Sequence, residues 1–337
     1  MSKMKKAAAE RTRTAHAIWY VRKGEVELRA EPLKVPARDD VVVRTLFSAI
    51  SRGTERLILS GTVPQNERER MRAPLQAGDF PFPVKYGYCA AGVVETGPSE
   101  LVGRPVFVLH PHQDLFTAPV CMAIPLPDGV PPRRATLAAN METALNAVWD
   151  AGCGPADRIV VVGGGAVGML VGYLCAQMPG TDVTVVDIEP DRGQIAEQLG
   201  LRFALPRDTP TEADVVFHTC ATPQGLAAAI GAAGMEGTIV ELSWYGEGSI
   251  PVPLGGAFHS RRLKLISSQV GEVAPSRRPR WTRRRRLEAA LSLLQDPRLD
   301  ALITEEIEFA DAPQRVPQIL APGAPGVVSV IRYPAAS

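Results

Sequence analysis

The 337-residue sequence is most easily bounded by what it has little of. No apolar run is long enough to span a bilayer, so no membrane segment is expected. The 37 Lys and Arg residues against 36 Asp and Glu leave a formal net charge of +1, so no global field selects nucleic acid or a membrane surface as a partner. Five cysteines (Cys89, Cys121, Cys153, Cys175 and Cys220) are scattered without a C-x-x-C spacing. That distribution indicates neither a disulfide framework nor a four-cysteine zinc lobe, and most of them read as small buried apolar residues. No internal repeat or low-complexity tract is visible. The leader from Met1 to Thr14 is basic and alanine-rich but holds no apolar core of signal-peptide length, so the expected location is the cytoplasm. What remains is ordinary globular material, 45% hydrophobic and 22% charged, longer than one hydrophobic core usually serves. Two domains are expected.

The most informative segment runs from Arg158 to Gly168, an apolar stretch ending in G-x-G-x-x-G and followed by a helix-compatible segment through Gln177. The three glycines serve separate ends. Gly163 makes the tight strand-to-helix turn, Gly165 lets backbone approach a pyrophosphate, and Gly168 lets the helix pack on the strand. The free N–H groups at the helix start, around Ala166 and Val167, and the positive dipole end favour an anion there. A second apolar run, Asp182 to Asp187, ends in an acid 19 residues after Gly168. A carboxylate at that place hydrogen-bonds ribose hydroxyls and repels a 2′-phosphate, so NAD(H) is expected in preference to NADP(H). Arg192, five residues on, can instead receive a phosphate or lie along the adenine ring.

The first third alternates short β-rich runs with Pro and Gly turns (Ala17 to Val21, Val41 to Phe47, Gly92 to Glu95, Val106 to Leu109), which predicts a mostly antiparallel, barrel-like domain. From about Asn140 apolar helices alternate with buried strands through Leu263 to Ile266, the βαβ grammar of a parallel sheet. The helix from Thr282 to Gln295 leaves that sheet, and the strand-like runs Leu302 to Glu308 and Val327 to Tyr333 are expected to pair with the first domain. The expected fold class is therefore α/β: a Rossmann doubly wound parallel sheet over 140–295, plus a β-rich catalytic domain formed by 1–139 and 296–337.

This layout resembles the medium-chain dehydrogenase/reductase superfamily over nearly the whole chain. The resemblance is carried by Ile50-Ser51-Arg52-Gly53-Thr54-Glu55, Gly87-Tyr88-Cys89-Ala90-Ala91-Gly92, Gly103-Arg104-Pro105-Val106, the glycine triplet and Asp187. Within it, Ser-Arg-Gly-Thr-Glu and Val84-Lys-Tyr-Gly-Tyr look most like relatives of the bacteriochlorophyllide hydroxyethyl dehydrogenases, often labelled zinc alcohol dehydrogenases. The resemblance implies a GroES-like barrel for the first domain, hydride transfer with a nicotinamide, and a homodimer or homotetramer joined through an edge strand of the cofactor sheet. It also shows what is missing. Ser51 stands where the zinc enzymes have their first cysteine, the G-H-E segment reads Gly87-Tyr88-Cys89, and Ala139 or Asn140 replaces the third ligand unless Glu142 is recruited. A serine hydroxyl and a phenol are poor neutral ligands, so no metal site and no catalytic zinc are expected.

Without zinc, a hydroxyl or imidazole must meet the developing oxyanion. Tyr88 is the first candidate, its alternative being a core tyrosine filling the vacated metal cavity, and Ser51 can relay a proton beside it. His112, with Asp114 as an orienting carboxylate, is the second; the neighbouring His110 shares its segment, while His16, His218 and His259 have weaker claims. The place of Arg52 after Ser51 suits the cofactor pyrophosphate, whereas Thr54 and Glu55 read as helix capping. Seven arginines fall between Arg277 and Arg286, with Thr282 as a plausible N-cap. Arg283 and Arg284, with Lys85, Arg70 and Arg72, are candidates for holding a carboxylate or phosphate on the substrate; a surface cluster paired with acids is the alternative.

Taken together these residues imply a zinc-independent, NAD(H)-dependent oxidoreductase moving hydride between the nicotinamide and a secondary alcohol or ketone carbon of a small-molecule substrate, anionic if the basic cluster binds it. The alternatives are an NAD(P)H-dependent quinone or enone reductase and, from another class, an inactive NAD-binding redox sensor or nucleic-acid-binding relative. Nucleic acid and membrane are not expected as partners.

Overall fold

The computed structural model describes residues 13–335, so the first twelve residues of the basic leader lie outside it. The amino-terminal strands are β1 (Thr14–Arg22), β2 (Glu25–Pro32), β3 (Asp40–Ile50), β4 (Ala77–Gly78), β5 (Val84–Lys85), β6 (Ala90–Thr96), β7 (Pro105–Val108), β8 (Leu115–Pro119) and β9 (Ile124–Pro125). Helix α1 (Arg52–Ser60) follows β3 directly, and α2 (Pro132–Ala135) and α3 (Ala138–Ala151) lead into the next unit. That unit alternates β10 (Arg158–Val162), α4 (Ala166–Ala176), β11 (Asp182–Val186), α5 (Arg192–Gln198), β12 (Arg202–Ala204), β13 (Ala213–His218), α6 (Pro223–Ala232), β14 (Ala233–Glu241) and β15 (Lys264–Ser267). The chain ends in α7 (Arg283–Leu293), β16 (Ile303–Glu308), α8 (Ala312–Ile319) and β17 (Val328–Arg332).

Strands β10 to β15 form one all-parallel sheet in the order β12-β11-β10-β13-β14-β15. Its central strands, Arg-Ile-Val-Val-Val in β10 and Asp-Val-Thr-Val-Val in β11, are buried from their second residue onward. β-branched residues covered on both faces are what a parallel sheet sandwiched by helices requires. The strand order reverses between β10 and β13, which opens a crevice at their carboxyl ends. The remaining strands make a four-stranded sheet, β2-β1-β5-β4, and a seven-stranded one, β16-β17-β3-β6-β7-β9 with β8 also on β3. The carboxy-terminal strand pairs antiparallel with β3, Ser329 opposite Ile50 and Arg332 opposite Phe47, as the sequence predicted for this return. The α/β class, with a Rossmann sheet and a strand-rich barrel-like part, is thus the observed architecture. No helix of the described residues is long and apolar enough to cross a membrane.

One apolar cluster runs from Ala49 and Phe107 of the seven-stranded sheet through Met141 and Ala144 of α3 to Val161 and Leu170 of the parallel sheet and its helix. The junction also holds a buried charge. Arg286, 1% exposed, donates to Glu142 Oε1 at 3.0 Å, Asn146 Oδ1 at 2.6 Å and the carbonyls of Glu272 and Val270. This consumes Glu142, the acid considered above as a recruited metal ligand. Burial raises the Glu142 carboxyl while Arg286 pulls it back. Removing the guanidinium strands that carboxylate in the core, so Arg286→Met is expected to cost about 3–5 kcal/mol, and the double change with Glu142→Leu to recover most of it. Urea unfolding of the two variants checks this; a loss under about 1 kcal/mol for the single change contradicts it.

Candidate functional site

The site begins where β3 ends. Ser51 is the N-cap of α1, yet its hydroxyl makes no capping bond. It accepts instead from the Tyr88 hydroxyl at 2.5 Å, so the two hydroxyls proposed for the chemistry do meet. Tyr88 is half-buried and stands edge-on to Tyr86, 6.0 Å between ring centroids. Burial, helped by Cys89 and opposed by bonds to Ser51 and Thr54, raises the Tyr88 phenol well above the ordinary tyrosine value. At neutral pH it is therefore a neutral donor. Cys89 points into the apolar core, 1% exposed, its thiol pushed up by the same burial.

Beneath this pair lies a network that the sequence did not announce. The Glu55 carboxylate, fully buried, accepts the Ser51 N–H on Oε1 at 2.7 Å, and on Oε2 the Tyr20 hydroxyl at 2.5 Å and His112 Nε2 at 3.1 Å. His112 Nδ1 lies 2.7 Å from Ser48 Oγ, which lies 2.9 Å from the Tyr333 hydroxyl. An Nε2–H tautomer satisfies every member: Tyr333 donates to Ser48, Ser48 to Nδ1, and Nε2 to Glu55. Two expectations are corrected here. His112 is not oriented by Asp114, whose carboxylate binds His16 through its backbone N–H at 2.7 Å and ring Nδ1 at 3.1 Å. Being wholly buried, His112 also does not reach solvent, so its contacts are with Glu55 and Ser48. Glu55 does more than cap the helix: it joins β1, α1 and the His112 loop. Its only sequence signal was an acid in a first helical turn.

Across the crevice, the glycine turn has the shape its sequence demands. Gly163 has a φ of +113°, a region costly for any residue with a side chain, and a Cβ on Gly168 would stand 1.9 Å from the Gly163 carbonyl oxygen. At Gly165, the N-cap of α4, nothing lies within 4 Å of a Cβ, and the first N–H groups of α4, at Ala166 and Val167, have no partner within the helix. Asp187, at the end of β11, accepts from Gly164 N at 2.6 Å, Glu189 N at 2.9 Å and the Arg192 guanidinium at 2.7 Å. Arg192 therefore lies against the acid rather than free of it.

The basic candidates are largely committed elsewhere. Arg52 donates to the carbonyls of Ala324, Pro325 and Gly326 at 3.2, 2.5 and 2.8 Å, fastening the loop before β17; burial, with a smaller push from Arg192, lowers its guanidinium. Lys85 is buried against Glu31 and Gln113, which corrects its reading as a substrate anchor. Arg283 pairs with Glu272, and Arg284 with Glu288 and the Cys121 carbonyl. Arg70 faces Glu67 and Arg72 faces Asp79. Among the described residues none of these shares a hydrogen bond with Ser51 or Tyr88, and the pairing of Arg283 and Arg284 with acids matches the surface-cluster alternative. Thr282 does cap α7, accepting from Arg285 N at 3.1 Å. Likewise, among the described residues no group of three or more His, Cys, Asp or Glu converges as metal ligands.

Comparison with proteins of known structure then gives whole-chain likenesses at low identity. 2R,3R-butanediol dehydrogenase from Bacillus subtilis superposes with a TM-score of 0.75 at 18% identity, covering 95% of this chain and 100% of that one. An Escherichia coli alcohol dehydrogenase complexed with NADH does so with a TM-score of 0.75 at 15% identity, covering 95% and 99%. The chain shares the overall fold of these dehydrogenase structures. Among curated proteins, this chain is similar to D-guloside 3-dehydrogenase of Escherichia coli (strain K12), 27% identical over 203 residues, which are 56% of this chain and 58% of that protein. The match thus spans less than two thirds of the relative's length. No family model matches the chain.

His110, beside the network, carries a pH consequence. Burial depresses its imidazole to about 3, opposed by a bond to the Pro111 carbonyl, and its ring stacks on Phe116 with centroids 3.7 Å apart. An unfolded histidine takes up a proton near 6.5. Between about 3 and 6.5 the unfolded chain therefore binds the extra proton, and stability falls as pH drops through that window. His110→Phe keeps the stacking and is expected to shrink the difference in Tm between pH 4.5 and 7.5; an unchanged difference would assign the pH dependence to other groups.

Proposed function

We propose that this chain is a zinc-independent, NAD(H)-dependent oxidoreductase that transfers hydride between the nicotinamide and a secondary alcohol or ketone carbon. The observation that carries this reading is the Tyr88 hydroxyl donated onto Ser51 Oγ where the family it resembles keeps its metal ligands. The donors at that place are a serine hydroxyl already engaged by a phenol and a thiol turned into the core, a poor set for zinc. The glycine turn, the N-terminus of α4 and Asp187 fit a dinucleotide, with Gly165 to Gly168 facing the pyrophosphate and Asp187 the adenosine ribose. When bound, the nicotinamide supplies or accepts the hydride. Tyr88 does the rest of the polar work: its neutral hydroxyl turns from Ser51 toward the substrate oxygen and donates to the carbonyl as negative charge grows there, with the proton that completes the alcohol drawn from solvent water; in the opposite direction the alcohol proton leaves to solvent water while Tyr88 holds the oxygen by the same bond and Ser51 orders that water. Glu55 and His112 keep Ser51 and the start of α1 in place while this happens.

We place the catalytic division at 1–139 with 296–337 and the cofactor division at 140–295. The dehydrogenases named above act, by their names, on a guloside and a butanediol, which supports a secondary-alcohol substrate. Edge strand β15, with Leu265 37% exposed, supports pairing of cofactor sheets in a homodimer or homotetramer.

With (R,R)-butanediol and other secondary alcohols as trial substrates, Tyr88→Phe is expected to lower kcat about 10²–10³-fold while leaving NADH binding unchanged. The assay is run on chelator-treated protein, and loss of wild-type activity on chelation would overturn zinc independence. Fluorescence titration is expected to show NADH binding at least about tenfold tighter than NADPH, with Asp187→Gly narrowing the gap by freeing Arg192 for a 2′-phosphate. Equal affinities for the wild-type protein would overturn the cofactor preference.

A further inference from the structure

A second cluster of reactive groups stands on the other flank of the glycine turn, at the carboxyl ends of β13 and β14. Glu241 Oε2 lies 2.7 Å from His218 Nδ1, and His218 Nε2 lies 3.1 Å from the sulfur of Cys220. The three are strung in a line through the imidazole rather than converging on one point, so the arrangement is that of a relay and not of a metal cage. Glu241 is itself fixed by the Ser243 N–H at 2.7 Å and the Tyr245 hydroxyl at 3.1 Å. His218 is fully buried, whereas Cys220 is partly open to solvent.

The sulfur also sits on the first turn of α6. Thr222, the N-cap, has its hydroxyl 3.3 Å from the sulfur, and a Cβ on Gly225 would stand 2.2 Å from it and 2.8 Å from His218 Nε2. Glycine at 225 is thus what admits the sulfur to a helix start, where N–H groups favour negative charge. The titratable groups facing the sulfur are His218 from β13, with Glu241 and Tyr245 behind it. Burial opposes charge on both partners, but the bonds they make to each other and to Glu241 and Thr222 prevail, lifting His218 to about 9 and lowering the Cys220 thiol below its ordinary value.

Cys220 also touches the turn assigned above to the dinucleotide. Thr219 donates to the Gly163 carbonyl at 2.7 Å, and a Cβ on Gly163 would lie 2.9 Å from both the backbone nitrogen and the Cβ of Cys220. We propose that Cys220 is a thiolate paired with His218, that it is a site of oxidation by hydroperoxides, and that this modification and dinucleotide binding exclude one another. The last clause rests on the dinucleotide reading. In the step, the thiolate attacks one peroxide oxygen, the S–O bond forms as the O–O bond breaks, and the leaving hydroxide takes the His218 proton to depart as water. The sulfur is oxidised by two electrons to a sulfenic acid and the peroxide is reduced.

The exposed Cys121 of the same chain is the internal standard. In a brief iodoacetamide pulse on the full-length protein, read by peptide mass spectrometry, Cys220 is expected to label about fivefold faster than Cys121 at pH 6, with the gap closing by pH 9 as ordinary thiols ionise. His218→Gln is expected to bring Cys220 down to the Cys121 rate; the pH comparison on unaltered protein decides the matter even if that variant misfolds. Hydrogen peroxide with a dimedone trap is expected to mark Cys220 and spare Cys121. Labelling of Cys220 no faster than Cys121 at pH 6, or trapping on Cys121 alone, overturns the thiolate. Saturating NADH, its binding read separately by fluorescence, is expected to slow Cys220 labelling at least about tenfold. Bound NADH without protection overturns the exclusion and leaves the dinucleotide reading intact. Absence of NADH binding overturns both, while the pH comparison still decides the thiolate.

Discussion

A buried carboxylate is the constraint on which the amino-terminal half of the molecule turns. Glu55 sits at zero exposure, where an ionised acid costs several kcal/mol unless its oxygens are filled with donors. Three donors fill them: the Ser51 amide, the Tyr20 hydroxyl and the His112 imidazole. They come from α1, β1 and the loop after β7, so meeting the carboxylate's demand also fixes how these elements stand relative to one another. The Ser51 hydroxyl makes no capping bond and accepts from Tyr88 instead. The order of causes runs from an electrostatic penalty, through packing, to a pair of hydroxyls bonded to each other.

The opposite wall obeys a different rule. There the shape comes from backbone rather than side chains, because Gly163 must take a positive φ and Gly168 must touch a carbonyl. Those requirements are local, and the glycine triplet, the buried strands and the acid at 187 could all be read from residue order. Strand β12 escaped notice because three residues, Arg202 to Ala204, are too few for any periodicity to stand out.

The charged side chains were harder to read for the converse reason. Lys85 and the arginines near 283 look like ligand anchors when only their neighbours along the chain are known, and their actual partners include Glu31, Gln113 and the Cys121 carbonyl, far away in sequence. The Ser48–His112–Tyr333 link is the extreme case, joining residues 285 apart. The nearby acid, Asp114, was the natural partner to assign to His112, but the two sit in an irregular segment between β7 and β8 and take different partners, Glu55 and Ser48 for His112 and His16 for Asp114. Glu55 was visible as an acid in a first turn, and only the fold shows that it faces inward.

The place of β17 has a consequence for how the protein is made. This strand, the last of the described chain, lies between β16 and β3, so the seven-stranded sheet that begins near residue 40 has a gap along β3 until residues 328–332 arrive. The parallel sheet, by contrast, is drawn entirely from residues 158–267. During synthesis the parallel-sheet half can therefore close around its own core while the amino-terminal half, made earlier, waits with an open strand edge for residues 328–332. The half translated first is the half finished last, and the interval between is when that edge is exposed to other chains.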